Sequence, residues 1–175
     1  MGVPLLVVVT GMPSSGKTTV AEALAGRLQL PLMAKDTIKE ALYDSLGADD
    51  VATSGRLGAA AFTVLFALAR IALASGASVI VEGNFFRDQE REFSALPAHR
   101  LVQIHCHAPL PVLLERYASR ARHPGHHDAE KIKELPARFE SGVHGPLRLE
   151  GRLIQLDTTR PLDLAGLAER VRAAD

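Results

Sequence analysis

The residues with the clearest chemical potential lie near the amino end, where Gly11 to Thr18 read G-x-x-x-x-G-K-T. This spacing is typical of a phosphate-binding loop, and it stands between an apolar run and a helix, as such a loop requires. The glycines let backbone N–H groups turn toward an anion, Lys17 supplies a mobile charge, and the Thr18 hydroxyl can complete a Mg²⁺ shell. The pattern predicts a nucleoside triphosphate site formed by Gly11, Met12, Pro13, Ser14, Ser15, Gly16, Lys17, Thr18 and Thr19.

Two carboxylates stand at positions where phosphoryl transfer would use them. Transfer of a phosphoryl group depends on positioning and charge more than on covalent chemistry. Asp36 follows a short predicted strand and is the candidate base for an acceptor hydroxyl, although a helix-capping role would also explain an aspartate there. Glu82 ends a buried run, where a carboxylate could hold the metal together with Thr18. An ion pair with a lysine or arginine at the sheet edge is the alternative for Glu82.

Polar residues after the third predicted strand and before a long predicted helix are candidates for binding the acceptor. Asn84 can donate and accept hydrogen bonds, and Arg87 can bind an anionic group. Arg56 is a further pocket candidate, for which a solvated surface role is an equal alternative. Together with Asp36, these residues predict a polar acceptor that could be anionic.

Arg116 and Arg120 are spaced four residues apart, which places them on one face of a predicted helix. A Pro-Gly pair follows shortly after them. This arrangement predicts a small helical lid over about residues 116–130 that delivers charge to the phosphates and excludes water. The alternative is that basic residues simply favour the carboxyl ends of helices.

Strand-like and helix-like segments alternate along the chain. This alternation predicts a three-layer α/β fold with a parallel sheet of about five strands and its ligand at their carboxyl ends. We expect one domain over residues 1–175, with helices at about 36–46, 56–75, 88–95, 109–122, 129–141 and from 162 onward. The expected strands are Pro4–Val9, Pro31–Ala34, Ser78–Glu82, Arg100–Cys106 and Arg152–Asp157.

The composition of the chain restricts the kinds of partner that we expect it to bind. Twenty basic residues balance twenty acidic residues among 175, which argues against a protein that grips a long nucleic-acid backbone. The single cysteine, Cys106, fits a reducing compartment. The apolar stretch from Leu57 to Ala69 is 13 residues long and too short to span a bilayer. These features predict a cytoplasmic protein with no membrane partner.

Five motifs together resemble a family of small bacterial P-loop kinases, the AAA-domain group related to the zeta-toxin and chloramphenicol phosphotransferase kinases. More distant relatives are gluconate kinases and the kinase domain of polynucleotide kinase. The resemblance covers nearly the whole chain. Its motifs are G-M-P-S-S-G-K-T-T, K-D-x-I-K-E-x-L-x-D, V-I-V-E-G-N-F, R-Y-x-x-R-x-R-H-P-G-H, and R-F-E followed later by L-D-T-T.

The resemblance implies a P-loop NTPase fold of the nucleoside monophosphate kinase type, with ATP and Mg²⁺ as cofactors. By similarity, Lys17 and Thr18 would serve phosphate and metal, and Asp36 the acceptor hydroxyl. Arg116 and Arg120 would belong to the lid. The segment that contains Asp157 and Thr158 would lie near the adenine. Relatives more often carry Asp where this chain has Glu82.

These observations predict a kinase that transfers the γ-phosphate of ATP to a hydroxyl of a small molecule such as a sugar, nucleoside or antibiotic. We expect it to act as a monomer or a homodimer and not to bind nucleic acid. One alternative is a nucleic-acid 5′-hydroxyl kinase, which would need a positive channel beside the lid. Another is a nucleotide-binding regulatory or toxin-like protein without a metabolic acceptor.

Overall fold

The sheet is the centre of the structure, a computed structural model that describes residues 2–47, 50–120, 123, 126 and 131–173. Its five strands are all parallel and lie in the order β2-β3-β1-β4-β5. The predicted α/β fold with a five-stranded parallel sheet is therefore confirmed. The strands are β1 (Leu5–Gly11), β2 (Leu32–Ala34), β3 (Val79–Gly83), β4 (Arg100–His107) and β5 (Arg152–Asp157).

Helices cover both faces of the sheet and make three layers. Odd-numbered residues of β1 pack with α1 and α7, while even-numbered residues pack with α3 on the other face. This alternation follows from the strand geometry, in which successive side chains point to opposite faces. The helices are α1 (Lys17–Leu28), α2 (Lys35–Leu46), α3 (Val51–Ala74), α4 (Glu90–Ser94), α5 (Leu110–Ser119), α6 (Leu135–Ser141) and α7 (Leu164–Arg172).

The strand register brings the functional segments together at one edge. Thr10 of β1 pairs with Gly83 of β3, and Gly11 pairs with Cys106 of β4. Ala34 of β2 pairs with Glu82. The residues that follow these four strands consequently start from the same edge of the sheet, where the sequence predicts the ligand.

Several predicted helix boundaries differ from the structure. Helix α3 begins at Val51, ahead of the predicted start at residue 56, because the Asp50 side chain accepts a hydrogen bond from the Thr53 backbone N–H and caps it. Helix α2 begins at Lys35 after Ala34, without a side-chain cap, so the predicted start near Asp36 is one residue late. The predicted helix at 129–141 is a 3₁₀ turn, Ile132–Glu134, followed by α6, and residues 129 and 130 lie outside the described residues.

The segment after β3 also differs from its prediction. The predicted helix at 88–95 is a 3₁₀ turn, Arg87–Gln89, followed by α4, Glu90–Ser94. The Gln89 side-chain oxygen accepts a hydrogen bond from the Phe86 backbone N–H at 3.0 Å. An amide side chain that reaches back to the start of the turn therefore caps it.

Helix α3 is longer than its apolar sequence stretch suggests. By length and composition alone its 24 residues could cross a membrane, and among the described residues it is the one helix that meets this test. One side of it packs against the sheet through Leu65, Phe66, Ala69 and Leu73. Apolar core helices meet the same test, but Val64, Leu68 and Ile71 are exposed, so packing on the sheet accounts for only part of the apolar composition of α3.

Candidate active site

The phosphate-binding loop between β1 and α1 has the backbone shape that its sequence predicts. Gly16, the residue before α1, has a φ of 81°, and Ser14 has a φ of 65°, so both lie in the left-handed region. Left-handed residues in a short loop turn neighbouring N–H groups toward one side and form an anion-binding concavity. At Gly11, with a φ of 149°, a Cβ atom would collide with the Cys106 carbonyl oxygen. Glycine is therefore required where the loop passes β4.

Polar atoms inside this loop fit a phosphate chain. The hydroxyl oxygens of Ser14 and Ser15 are buried and have no hydrogen-bond partner among the described residues. Lys17 is only 7% exposed, and its Nζ donates to the Met12 carbonyl oxygen at 3.4 Å. The amino end of α1, with its unpaired N–H groups, begins at the same point. These donors and the charge of Lys17 suit the β- and γ-phosphates of a nucleotide.

Thr18, Glu82 and Asp36 line one small cavity of about 410 Å³ beside the loop. We call it the metal-side cavity. Glu82 is 1% exposed, and its Oε1 lies 3.8 Å from the Nζ of Lys17. A hydroxyl and two carboxylates are oxygen donors of the kind that Mg²⁺ prefers, with water completing its shell. These residues fit a magnesium ion whose shell is completed by water, since the described residues contain no group of three or more acidic, His or Cys side chains that could hold a metal by themselves. The predicted ion pair of Glu82 with a lysine also exists here.

Asp36 also lines a second and much larger cavity of about 1040 Å³, which we call the large cavity. Lys17 lines the large cavity as well, so the loop lysine and the candidate base face the same space. Asp36 is therefore shared by the metal side and the acceptor side. The walls of the large cavity come from the loop, α2, α3, the segment after β3, and α5 with the segment before α6.

The position of Asp36 depends on close packing around Gly83. A Cβ atom at Gly83 would lie 3.3 Å from Lys35 Cβ and 3.3 Å from the Phe62 ring. The absence of a side chain thus lets the first turn of α2 and the side of α3 approach the end of β3 closely. Lys35 Nζ lies 3.0 Å from Asp36 Oδ1 and 5.5 Å from the centroid of the Phe62 ring. This contact gives the Asp36 carboxylate a neighbouring positive charge.

The two predicted lid arginines have different surroundings. Arg116, in α5, donates to the Thr158 hydroxyl at 3.0 Å and to the Thr158 carbonyl oxygen at 2.9 Å. Thr158 in turn lies 3.4 Å from the position that a Cβ would take on Gly16. Arg116 is therefore fixed on the side of the phosphate loop, beside the segment that the resemblance places near the adenine.

Arg120 lies on the side of the large cavity. Helix α5 ends at Ser119, and Arg120 has extended backbone angles, so the prediction of one continuous helix to residue 122 is wrong. The two arginines consequently do not share a helix face. The Arg120 guanidinium lies 3.9 Å from the centre of the Tyr117 ring and lines the large cavity. Most of the predicted lid lies outside the described residues, which include only 123 and 126 between 121 and 130.

Two histidines of the lid segment contact α2. His126 is 4% exposed, and its Nε2 lies 2.7 Å from Glu40 Oε1. His123 Nε2 lies 2.9 Å from Asp44 Oδ1, and its ring packs edge-on against Tyr43 at 5.0 Å. Glu40 and Asp44 are one helical turn apart, so both histidines meet one face of α2. These contacts connect the lid segment to the helix that carries Asp36.

The remaining predicted site residues are only partly brought together. Asn84 lines the large cavity. Arg56 and Arg87 are exposed and are not among the residues that line either cavity. Arg56 donates to the Thr53 hydroxyl within α3, which is the surface role that its sequence left open. Acceptor binding by Arg56 and Arg87 finds no support in this arrangement.

Asp157 forms its contacts within its own turn. Its Oδ1 accepts from the Thr159 hydroxyl at 2.6 Å and from the Thr159 backbone N–H at 3.0 Å. These two hydrogen bonds hold the pKa of the Asp157 carboxyl below its usual range. Thr158 is thereby presented to Arg116, while a direct contact of Asp157 with a nucleotide stays a prediction.

A lysine cluster in the large cavity was missed at the level of sequence. Lys39 Nζ and Lys131 Nζ donate to the same hydroxyl oxygen, Ser54 Oγ, at 2.7 and 3.3 Å. Burial, together with the positive charges of Lys131 and Lys35, lowers the pKa of Lys39 to about 7, while the negative charge of Asp36 opposes this shift. The i, i+4 spacing of Lys35 and Lys39 was a usable signal, but it does not indicate which residues the two lysines contact.

Comparison with known proteins agrees with this geometry. An AAA domain family matches residues 6–141, which is more than half of the chain. None of the curated proteins matches the sequence. A structure from Chloroflexus aurantiacus, described as that of a candidate kinase, is 37% identical, with a TM-score of 0.88. The match covers 99% of this chain and 100% of that one.

More distant structures share the fold. A sugar kinase from a Janibacter species is 20% identical with a TM-score of 0.63, over 97% of this chain and 92% of that chain. A gluconokinase from Sinorhizobium meliloti is 22% identical with a TM-score of 0.53, over 98% of each chain. Together with the phosphate-binding loop, the sheet order and the family match, these likenesses lead to one conclusion. This chain belongs to the AAA domain family that it matches, a family of P-loop proteins with a kinase-like fold.

Proposed function

We propose that this protein is a kinase that transfers the γ-phosphate of ATP, with Mg²⁺, to a hydroxyl group of a small molecule. The observation that carries the proposal is the shared space between Lys17 and Asp36, which line the same large cavity. A donor phosphate held by the loop and an acceptor hydroxyl near Asp36 could therefore meet. A nucleotide switch would need the loop but would not need this second cavity.

Each residue has a defined task in this reaction. The loop amides and Lys17 bind and orient the phosphates, and Thr18 with Glu82 would hold the magnesium ion, which supplies charge neutralisation when bound. Asp36 accepts the proton of the attacking hydroxyl, so that the oxygen gains nucleophilic character as the terminal phosphoryl group leaves ADP. Arg116 stabilises the nucleotide side, and Arg120 adds positive charge on the acceptor side.

The acceptor in this proposal is larger than a simple sugar. A cavity of about 1040 Å³ is at the upper end of the range for small-molecule sites and suits a drug-sized compound. Its aromatic lining, which includes Phe62 and Phe86, favours an acceptor with an apolar part. Among the acceptors that the sequence leaves open, antibiotic-like and nucleoside-like molecules fit this space better than monosaccharides. A cytoplasmic location, where ATP and magnesium are abundant, is part of the proposal.

A screen for acceptor-dependent release of ADP tests this function. Purified protein with ATP and magnesium is given sugars, aminoglycosides, nucleosides and other antibiotics, and Lys17→Ala is the matched inactive control. We expect one class of compound to raise ADP release well above the rate of ATP hydrolysis, with a phosphorylated product detected by mass spectrometry. ATP hydrolysis that no compound accelerates would contradict the proposal. Transfer of label to an oligonucleotide 5′ end would instead support a nucleic-acid kinase.

A further inference from the structure

The large cavity has a strong charge bias that the chain as a whole lacks. Among the described residues that line it there are eight lysines and arginines and three carboxylates, whereas the whole chain has 20 of each charge. These cations come from separate segments, which include α1, α2, α3, the residue after α5 and the segment before α6. A cavity wall of one sign concentrates ligands of the opposite sign.

Within this wall, one hydroxyl marks the point where two of the lysines converge. Ser54 is fully buried in the first turns of α3, and the ammonium groups of Lys39 and Lys131 both donate to its oxygen. Lys39 itself is 3% exposed. The positive charge of Lys131 lowers the pKa of Lys39, while the negative charge of Asp36 raises it. An anionic group of a ligand at this point would accept hydrogen bonds from both lysines.

Part of the cavity wall is apolar. Phe62 and Phe86 line it together with Gly58 and Ala59, and the two aromatic rings lie 6.4 Å apart in an edge-on arrangement. A ligand that fills this space would thus place an apolar or aromatic body against these rings and a charged group at the lysines. Asp36 lines the same cavity, so a hydroxyl of that ligand could reach the candidate base.

We propose that Lys39 and Lys131, converging on Ser54, form a subsite that binds a carboxylate or phosphate group of the acceptor, whose remaining body is apolar or aromatic. This inference rests on the proposed kinase function, because it takes the bound molecule to be the acceptor of the phosphate. Binding of an anion at the subsite can be tested without turnover. The lowered pKa of Lys39 is consistent with the subsite, because an anion beside the ammonium group would raise that pKa again.

The direct test measures binding of simple probes to the full chain without nucleotide. Benzoate and phenyl phosphate carry the two candidate anions on an aromatic ring, and benzyl alcohol is the neutral match. We expect calorimetry or NMR titration to detect both anions and not benzyl alcohol at equal concentration, and the tighter anion identifies the group. Equal binding of all three probes, or no binding of either anion, would overturn the subsite.

Variants locate the binding. Lys39→Met and Lys131→Met should each weaken anion binding by about 10-fold or more, as expected for loss of a charged hydrogen-bond donor. Lys133→Met is the control, because Lys133 is an exposed lysine two residues beyond Lys131. If Lys39→Met fails to fold by circular dichroism, Lys131→Met carries the test, since Lys131 is only partly buried. Unchanged anion affinity in the folded variants would assign the cluster to packing of α2 on α3 and overturn the proposal.

Turnover then separates this inference from the proposed function. Acceptors found in the screen are compared as the free acid and its methyl ester, in wild type and in Lys39→Met. We expect the acid to have the higher kcat/KM in the wild type and to lose that advantage in the variant. Transfer that is equal for acid and ester in both proteins would overturn the subsite but leave the kinase intact. Anion binding without any acceptor-dependent transfer would retain the subsite and contradict the kinase.

Discussion

The phosphate loop and the large cavity meet at Lys17 and Asp36, yet they are built from different kinds of information. The loop is a single run of nine residues, 11–19, and its function depends on backbone angles at Gly11, Ser14 and Gly16. The wall of the large cavity depends on side chains from α2, α3 and α5 that are far apart in the sequence. The donor side is therefore encoded locally, whereas the acceptor side depends on tertiary packing.

The largest effect is expected on the donor side. Lys17→Ala should reduce phosphoryl transfer by about 10³-fold or more, because the residue supplies the mobile charge for the transferring group. Steady-state ADP release measures this, with Lys133→Ala as the control for loss of a lysine. Because Glu82 lies 3.8 Å from Lys17, circular dichroism must show that the variant is folded. Activity within 10-fold of wild type in a folded variant would remove Lys17 from the donor site.

The second-largest effect is expected at Asp36, where the donor side and the acceptor side meet. Asp36→Asn should lower transfer by about 10²- to 10⁴-fold, the usual range for loss of a general base, while ATP affinity stays unchanged. Calorimetry with ATP and rapid-quench transfer assays measure the two quantities. Glu169→Gln, on the exposed side of α7, is the matched control for removal of a carboxylate charge. Transfer at the wild-type rate would exclude Asp36 as the base.

This contrast also explains which parts of the fold and the site could be predicted. The sheet, its parallel strands and the loop follow from uninterrupted apolar runs and from fixed glycine spacing. Asp36 and Glu82 were identifiable because each stands at a strand end, which the sheet brings to a common edge. The start of α3 was missed because a single side chain, Asp50, caps a helix that composition alone would begin later.

The acceptor side could not be predicted in the same way. Arg56 and Arg87 have suitable chemistry and lie close in sequence to site residues, but both are exposed and line neither cavity. Lys39 and Lys131 are far apart in the sequence, and both donate to Ser54. No local pattern contains that contact. The end of α5 at Ser119 likewise separates Arg116 from Arg120, although their spacing predicts one face.

Substitution of Arg116 and of Arg120 should affect different substrates. Arg116→Ala removes two hydrogen bonds to Thr158 beside the loop, so the KM for ATP should rise by about 10-fold while the KM for the acceptor changes little. Arg120→Ala should give the reverse pattern, because Arg120 lines the large cavity. Steady-state kinetics with each substrate varied in turn distinguish the two. If both variants change the same KM, the two sides are not separate.

The smallest effect concerns stability on the acceptor side. Burial lowers the pKa of Lys39 to about 7, so between about pH 7 and 10 the unfolded chain carries a proton at this residue that the folded chain lacks. This residue's contribution to the free energy of unfolding therefore rises with pH across that window, on the order of 1 kcal/mol after solvent screening.

Urea unfolding at several pH values measures that contribution as a difference. The stability of wild type minus that of Lys39→Met should increase from pH 7 to pH 10, because the variant lacks the group. Lys133→Met serves as the comparison, since its exposed lysine should give no such trend. A difference between wild type and Lys39→Met that stays constant with pH would mean that Lys39 keeps an ordinary lysine pKa.

One experiment tests the meeting of the two sides most directly. ATP labelled in its γ-phosphate is bound to excess protein with magnesium, an acceptor from the screen is added, and the label is followed through a single turnover. The account predicts that the label moves to a hydroxyl of the acceptor in wild type and stays on ATP in Asp36→Asn. Label that appears only as inorganic phosphate, at a rate that neither the acceptor nor Asp36→Asn changes, would contradict it.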